Sequence, residues 1–526
     1  MTKKVFGLLL MTLLPLRLLA QGQDVVFKRG NCIPTISDAV GHRAAHRALL
    51  PTPNTKWDAS KTYKQMVILF SFTDNDFTMD NPKDYYEKLF NEPNYQTGFG
   101  KGCIADYFKE QSGGLFNLEF DVYGPVKVSQ KAQPYDNPSE KTVNYGTMSI
   151  KEATTLVLEE NSGVDYSQYD WDSDGTIEQV IFIFAGRVGN TSEKESYGHI
   201  WPNTNNITPI KAPDGTKISQ YSCSGEYWMN DSQNKPIYCG LGTICHEFSH
   251  CLGLPDIYPV GKEYPYSSVD EWDLMDGGNF TGWGWCPPNY SALEKMLLGW
   301  LTPTELTEPT SVTDMKAVSE GGTVYQIKHT DTEYLLLENR QQTNWDEGLP
   351  GKGLVIFYVN YDKSRWQSNT VNSFASEDQF CYRMFHADNW NYDDWEDFID
   401  KEIEEKGKEN VSKYKNSFRM NRFYLSTSAY PTETNTELTD TSVPNAMMSN
   451  NTLLSKPIIR IQTDDAGLIS FDFMKGETGI NQLHLQENDG TSAIYDLTGK
   501  RVYTPLPGQI YVIKKNGTTK KYMMNP

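Results

Sequence analysis

The stretch His246-Glu247-Phe248-Ser249-His250-Cys251-Leu252-Gly253-Leu254-Pro255-Asp256 constrains what this chain can fold into more than any other. Residues four apart on a helix lie one above the other, so His246 and His250 present both imidazoles to one point. At about 100° per residue, Thr243, His246, Glu247, His250 and Gly253 gather on one side, and Leu241, Ile244, Cys245, Phe248, Cys251 and Leu252 on the other. The expectation is a helix with one face on a core and the other on a cleft. Gly253 permits a sharp exit and Pro255 fixes its direction, so Asp256 can return to the point the histidines share. Two neutral imidazoles and a carboxylate suit zinc, which leaves a fourth position for a water whose pKa falls toward about 7. Glu247 is then placed to take a proton from that water and deliver it to a leaving amine.

A methionine follows in Trp272-Asp273-Leu274-Met275-Asp276-Gly277-Gly278, nineteen residues past Asp256 (275 − 256). His-Glu-x-x-His-x-x-Gly-x-x-Asp followed by such a methionine turn resembles the metzincin clan of zinc peptidases. More closely, the stretch resembles the immune inhibitor A family of secreted bacterial metallopeptidases. The likeness is carried by Leu254-Pro255-Asp256, by Tyr107-Phe108 with Ser112 and Gly114, and by Glu294 to Leu301, and runs from about residue 66 to about 360. It implies an α+β fold: a metzincin-like zinc peptidase domain of twisted sheet plus helices, acting on polypeptides. Zinc would be held by His246, His250 and Asp256, with Glu247 as general base and Met275 as the floor beneath the metal. Asp273 or another nearby carboxylate is the alternative third ligand. Tyr258 and Tyr290 could reach a tetrahedral intermediate, but the tyrosine usual two residues after the methionine is replaced by Gly277, which leaves oxyanion stabilisation unassigned. Ile218 to Trp228 reads as a strand just ahead of the zinc helix, where metzincins align the substrate on an edge strand.

Asp170-Trp171-Asp172-Ser173-Asp174-Gly175-Thr176-Ile177-Glu178 places carboxylates at alternate positions around a glycine, as oxygen-rich calcium loops do. The twelfth position of an EF-hand would be Ile181, which has no carboxylate, so the match is partial. Two readings stand: a calcium site using Asp170, Asp172, Asp174 and Glu178 and completed from elsewhere, or an Asp-rich turn before a strand.

The remaining chain sets the context. Lys and Arg number 48 against 68 Asp and Glu, a formal charge of −20, which argues against nucleic acid as a partner. Residues 1–20, with Lys3 and Lys4 ahead of an apolar run, read as a signal peptide. That run is too short to span a bilayer, and no later stretch qualifies. The chain is expected to be exported, either secreted or held at the cell surface. Residues 21–62 read as a prosegment in which Cys32 is a candidate zinc-blocking thiolate or an ordinary loop cysteine. The catalytic domain is expected at 63–305, opening with the buried strand Gln65 to Phe72. A β-rich, sandwich-like companion is expected at 306–476, with strands at 333–341 and 353–359. Residues 477–526 resemble the sorting tails of Bacteroidota secreted proteins, which implies attachment at the outer cell surface. Eight cysteines permit disulfides without revealing their pairing, and Cys245 and Cys251 fall on the apolar side of the zinc helix. The rival function is a surface adhesin or glycan-binding protein that keeps the metal domain as a scaffold. An intact Glu247 weighs against it, because a scaffold has no use for the base.

Overall fold

The computed structural model describes residues 57–475 apart from 97–99, 133–144, 191–198, 232, 261–268 and parts of 375–424, together with strands between 480 and 524. The signal-peptide reading, most of the prosegment reading and Cys32 lie outside the described residues.

The architecture is mixed α and β. The first sheet has seven strands: β1 (Thr62–Ser71), β2 (Asn117–Lys127), β3 (Thr176–Ile177), β4 (Val180–Arg187), β5 (Asn203–Lys211), β6 (Lys217–Asn230) and β7 (Pro236–Tyr238). Strands β2, β1, β4 and β6 run parallel in that spatial order, with β3 continuing the line of β4 along β6. On the far side of β6, β5 and β7 pair with it antiparallel. The unbroken apolar run in β1 is the mark of a strand buried on both faces. Val67 and Leu69 enter one core, whereas Met66, Ile68 and Phe70 enter another. Helix α3 (Tyr145–Glu160) covers the second core through Ile150, Ala153 and Val157. Helices α1 (Pro82–Asn91), α2 (Ile104–Gln111), α4 (Gly242–Leu252) and α5 (Ala292–Leu298) cover the first.

The strand expected at Ile218 to Trp228 is present within β6, but it is paired on both sides and is not at an edge. Among the described residues, the free edge on that side belongs to β5 and β7. The run Asn203-Thr204-Asn205-Asn206 is mostly asparagine, a residue depleted in strands, so β5 left little signal. It is held in extended form by the ladder to β6.

A second sheet follows in the order β13 (Tyr382–Met384), β12 (Gly353–Asn360), β11 (Glu333–Arg340), β10 (Tyr325–Lys328), β8 (Thr304–Glu305). A third joins β9 (Thr310–Met315), β15 (Ile469–Phe473) and β14 (Ile458–Thr463). Strands β11 and β12 are again buried on both faces. Tyr334, Leu336, Val355 and Phe357 enter the same core as Phe248 of α4, and Leu335, Leu337, Leu354 and Ile356 enter a core shared with Phe471 and Ile469. The second sheet is therefore a wall of the core behind α4. In the C-terminal stretch, β16 (Ile480–Leu483), β17 (Ser492–Tyr495), β18 (Arg501–Val502), β19 (Ile510–Lys515) and β20 (Thr518–Met524) make a five-stranded sheet, a small β unit of its own. Non-local pairing of β16 with β20 closes it, and no local turn signal reports that pairing.

A buried ion cluster ties the second sheet to α5. Arg340 donates from Nε and Nη2 to the two carboxylate oxygens of Asp346 at 2.9 and 2.8 Å, and from Nη1 to Glu338 at 3.2 Å. Glu338 in turn accepts from the Ala292 amide, in the first turn of α5, at 2.7 Å. Arg340→Ala is expected to cost roughly 3–5 kcal/mol, because it strands two buried carboxylates. Urea unfolding of the two proteins measures it.

Candidate metal centre

Helix α4 begins without a side-chain cap, and Gly242 allows its first turn to press against the chain at Asn279, where a Cβ would lie 2.2 Å from the Asn279 carbonyl oxygen. It ends at Gly253, whose φ of +105° is left-handed, with the Leu254 amide returning to the Ser249 carbonyl at 3.2 Å. This exit brings Asp256 back over the helix. His246 Nε2 and His250 Nε2 lie 3.2 and 3.3 Å from the same atom, Asp256 Oδ1.

The imidazoles are fixed by their other nitrogens. His246 Nδ1 donates to the Leu274 carbonyl and His250 Nδ1 to the Leu254 carbonyl, each at 2.8 Å. A carbonyl only accepts, so both Nδ1 atoms carry the proton and both Nε2 lone pairs turn inward. Neither His250 Nε2 nor Asp256 Oδ1 has a hydrogen-bond partner, although both are buried. Buried orphan acceptors cost about 1–3 kcal/mol each when left unmatched, and a cation between them removes that cost. Two imidazole nitrogens and one carboxylate oxygen within 4.8 Å of one another are a donor set that fits zinc.

Charge in this pocket follows the same logic. Burial disfavours charge on His246, but the Asp256 carboxylate and the Glu247 carboxylate hold its pKa up to about 9. Burial likewise opposes ionisation of Asp256, and the two imidazoles nevertheless hold its carboxyl well below the usual carboxylate range. The pocket is built to hold a positive charge against Asp256. For Glu247, burial wins over the attraction of His246 and His250 and pushes the carboxyl up, the direction a proton-shuttling group needs.

Two features differ from the sequence reading. The side of α4 that bears the histidines is buried: His246, Glu247 and His250 are at most 2% exposed. A partner of Glu247 also comes from β5. Thr204 Oγ1 lies 2.7 Å from the Glu247 carbonyl and 3.0 Å from its Oε2. By donating to the carboxylate, or to the carbonyl while accepting from a protonated Glu247, this hydroxyl can serve both protonation states. A lone threonine 43 residues before Glu247 carries no sequence signal of that role.

The methionine turn meets the segments that bear the histidines and Asp256 through its backbone. Met275 is fully buried in the main core, and its carbonyl accepts from the Ile257 amide at 2.9 Å. Leu274 and Met275 thus touch both histidine-bearing and aspartate-bearing segments through backbone atoms alone. Asp273 does not approach the imidazoles. Its Oδ1 accepts from the Met275 amide at 2.8 Å, and its other oxygen faces Glu294. Tyr290 sits in the core with its hydroxyl against Ser249, packed on Tyr107 and Trp300. Tyr258 is also buried.

Asp170, Asp172 and Asp174 come together as a second carboxylate group, largely exposed. Glu178 does not join it, because both of its oxygens accept from the Trp171 amide at 2.9 Å. Within the loop, Asp170 accepts from the Asp174 and Gly175 amides at 3.1 and 2.7 Å. The seven described cysteines, Cys103, Cys223, Cys239, Cys245, Cys251, Cys286 and Cys381, are all free thiols. Cys245 is accordingly a packing residue of the core beneath α4, and Cys251 lies against Gln179.

Residues 52–298 match the catalytic domain of the immune inhibitor A peptidase M6 family. Over these residues the chain is similar to a peptidase M6 catalytic domain. The M6 domain is a metallopeptidase domain, and the convergent His246, His250 and Asp256, Glu247 beside them and the methionine turn all fall inside the match. Its relatives include the pre-pro-metalloprotease PrtV of Vibrio cholerae, 23% identical over 340 residues that make up 59% of this chain and 36% of that protein. Immune inhibitor A of Bacillus thuringiensis subsp. alesti is 26% identical over 245 residues, 42% of this chain and 35% of that protein. The chain thus spans about a third of the length of these curated relatives.

The Asp273 and Glu294 carboxyls of the M6 domain generate a pH prediction. Both are fully buried and face one another, and neither Asp273 Oδ2 nor Glu294 Oε1 has another partner. Burial first, then the neighbouring carboxylates, push both above the usual range. The folded state therefore binds more protons than the unfolded chain, so this pair's contribution to stability is present at acid pH and is lost as pH rises through the raised values. Asp273→Asn, which can donate to Glu294, is expected to raise the melting temperature on the order of 3 °C at pH 8 and by less at pH 5. Thermal scans at the two pH values check it.

Proposed function

We propose that this chain is an exported zinc endopeptidase that hydrolyses peptide bonds of extracellular polypeptides, with zinc held by His246, His250 and Asp256. The observation that carries the reading is the pair of Nδ1–carbonyl hydrogen bonds that turns two buried Nε2 atoms onto one carboxylate oxygen. Zinc bound there supplies Lewis acidity and lowers the pKa of a coordinated water. Glu247 is placed to take a proton from the water that attacks the scissile carbonyl carbon. It then delivers that proton to the amide nitrogen as the carbon–nitrogen bond breaks. Thr204 orients the Glu247 carboxylate through both steps. An extended substrate has a natural partner in the free edge of β5, which carries Thr204 past Glu247. Met275 supports the site from below through its turn.

Export follows from the signal-peptide reading of residues 1–20, and no helix among the described residues is long and apolar enough to cross a membrane. The segment 477–526 is assigned to sorting and to attachment at the outer surface. Calcium at Asp170, Asp172 and Asp174 is the second metal of this proposal, supported by the grouping of the three carboxylates. Millimolar calcium is expected to raise the melting temperature of the parent and to leave Asp172→Asn unmoved, as read by thermal scans with and without a calcium chelator.

Casein hydrolysis by the parent and by Glu247→Gln tests the activity. The variant is expected to retain zinc and to lose roughly 10²–10⁴ of the rate. A zinc-bound parent that cleaves no polypeptide would move the binding-protein reading ahead.

A further inference from the structure

Asp256 is held from outside the M6 match. Its backbone amide donates to Asn369 Oδ1 and its Oδ2 accepts from Asn369 Nδ2, both at 2.7 Å and across 113 residues of sequence. Asn369 is 6% exposed and lies just past α6 (Lys363–Gln367), with a left-handed φ of +55° that asparagine tolerates better than most residues. The turn it occupies is pinned: the Thr370 amide donates to the Arg365 carbonyl at 2.9 Å, and Arg365 Nη1 donates to the Thr370 carbonyl at 3.2 Å. The following residues track the aspartate-bearing loop. Asn372 donates to the Ile257 carbonyl at 2.9 Å and Ser373 to the Val260 carbonyl at 2.8 Å.

A carboxylate on a loop can rotate and can offer either oxygen. Asn369 removes both freedoms, since it engages the main chain and one oxygen of the same residue and leaves only Oδ1 directed at the two imidazoles. We propose that Asn369 is the positioning residue for the third zinc ligand, so that the metal site of the M6 domain is completed by the region beyond residue 298. This rests on His246, His250 and Asp256 being the zinc ligands. An asparagine that merely joined two buried segments would contribute to folding stability and leave the metal's residence time untouched.

The test uses the full chain as parent, Asn369→Gly and Asn369→Asp. Glycine suits the positive φ and removes both hydrogen bonds; aspartate keeps the acceptor for the Asp256 amide but sets an oxygen against Oδ2. Zinc content is measured by metal analysis, zinc loss by transfer to an excess of chelating dye, and apo stability by thermal melting. The parent is expected to hold one equivalent, and Asn369→Gly to release it roughly 10–100-fold faster with an apo melting temperature close to the parent's. Asn369→Asp is expected to release zinc faster as well, and it carries the test alone if the glycine variant does not fold. Asn339→Ala is the comparison, a buried asparagine that bonds the Met315 and Gly467 carbonyls in the same region. It should lower the melting temperature without changing zinc loss. Parent-like zinc loss in both Asn369 variants overturns the proposal, as does equal acceleration by Asn339→Ala. A parent that holds no zinc overturns the metal reading beneath it.

Discussion

Everything at the centre of this molecule depends on two hydrogen bonds that do not touch the metal position at all. The Leu274 and Leu254 carbonyls take the Nδ1 protons of His246 and His250, and that choice of tautomer aims two lone pairs at Asp256 Oδ1. In water such a convergence would relax by rotation of the rings. Here the histidines and the aspartate are buried, so their polar atoms must be matched or the fold bears the cost. The carbonyls come from two segments with no sequence kinship, the exit of α4 and the methionine turn. The centre is accordingly a junction of three backbone paths held by one fully packed helix.

The same economy links the catalytic sheet to the sheet behind it. Strands β11 and β12 alternate between two cores, and one of those cores is the floor of α4. Arg340, Asp346 and Glu338 join the second sheet to the start of α5, and Asn369, Asn372 and Ser373 join the chain after β12 to the loop that bears Asp256. These connections are polar and specific, laid over a broad apolar contact that fixes the distance between the parts. The sequence match to the M6 catalytic domain stops at residue 298, whereas the physical unit that shapes the centre continues well past it.

Legibility followed the physics of each element. The doubly buried strands β1, β11 and β12 announce themselves as apolar runs, and α4 as a helix with histidines four apart. Strand β5 left little signal because its stability comes from pairing with β6 and not from its own residues. The face of α4 expected to line a cleft is buried, since a helical wheel reports which side is polar and not what lies over it. Glu178, aligned with the aspartates by spacing, turns instead to the Trp171 amide, because a carboxylate near a turn finds free backbone donors first.

Sequence alone determined the donor set and its order: two imidazoles one turn apart, a glutamate beside the first, a glycine exit and an aspartate within reach. Those facts are local, fixed by helical periodicity and by the conformations open to Gly253 and Pro255. Only the tertiary structure decided that Thr204 would meet Glu247, that Asp273 would face Glu294, and that Asn369 would hold Asp256. Each of these is a contact between segments far apart in the chain. Their side chains carry no periodic signal, because hydrogen bonding between distant residues depends on where the backbone brings them and not on what stands next to them in sequence.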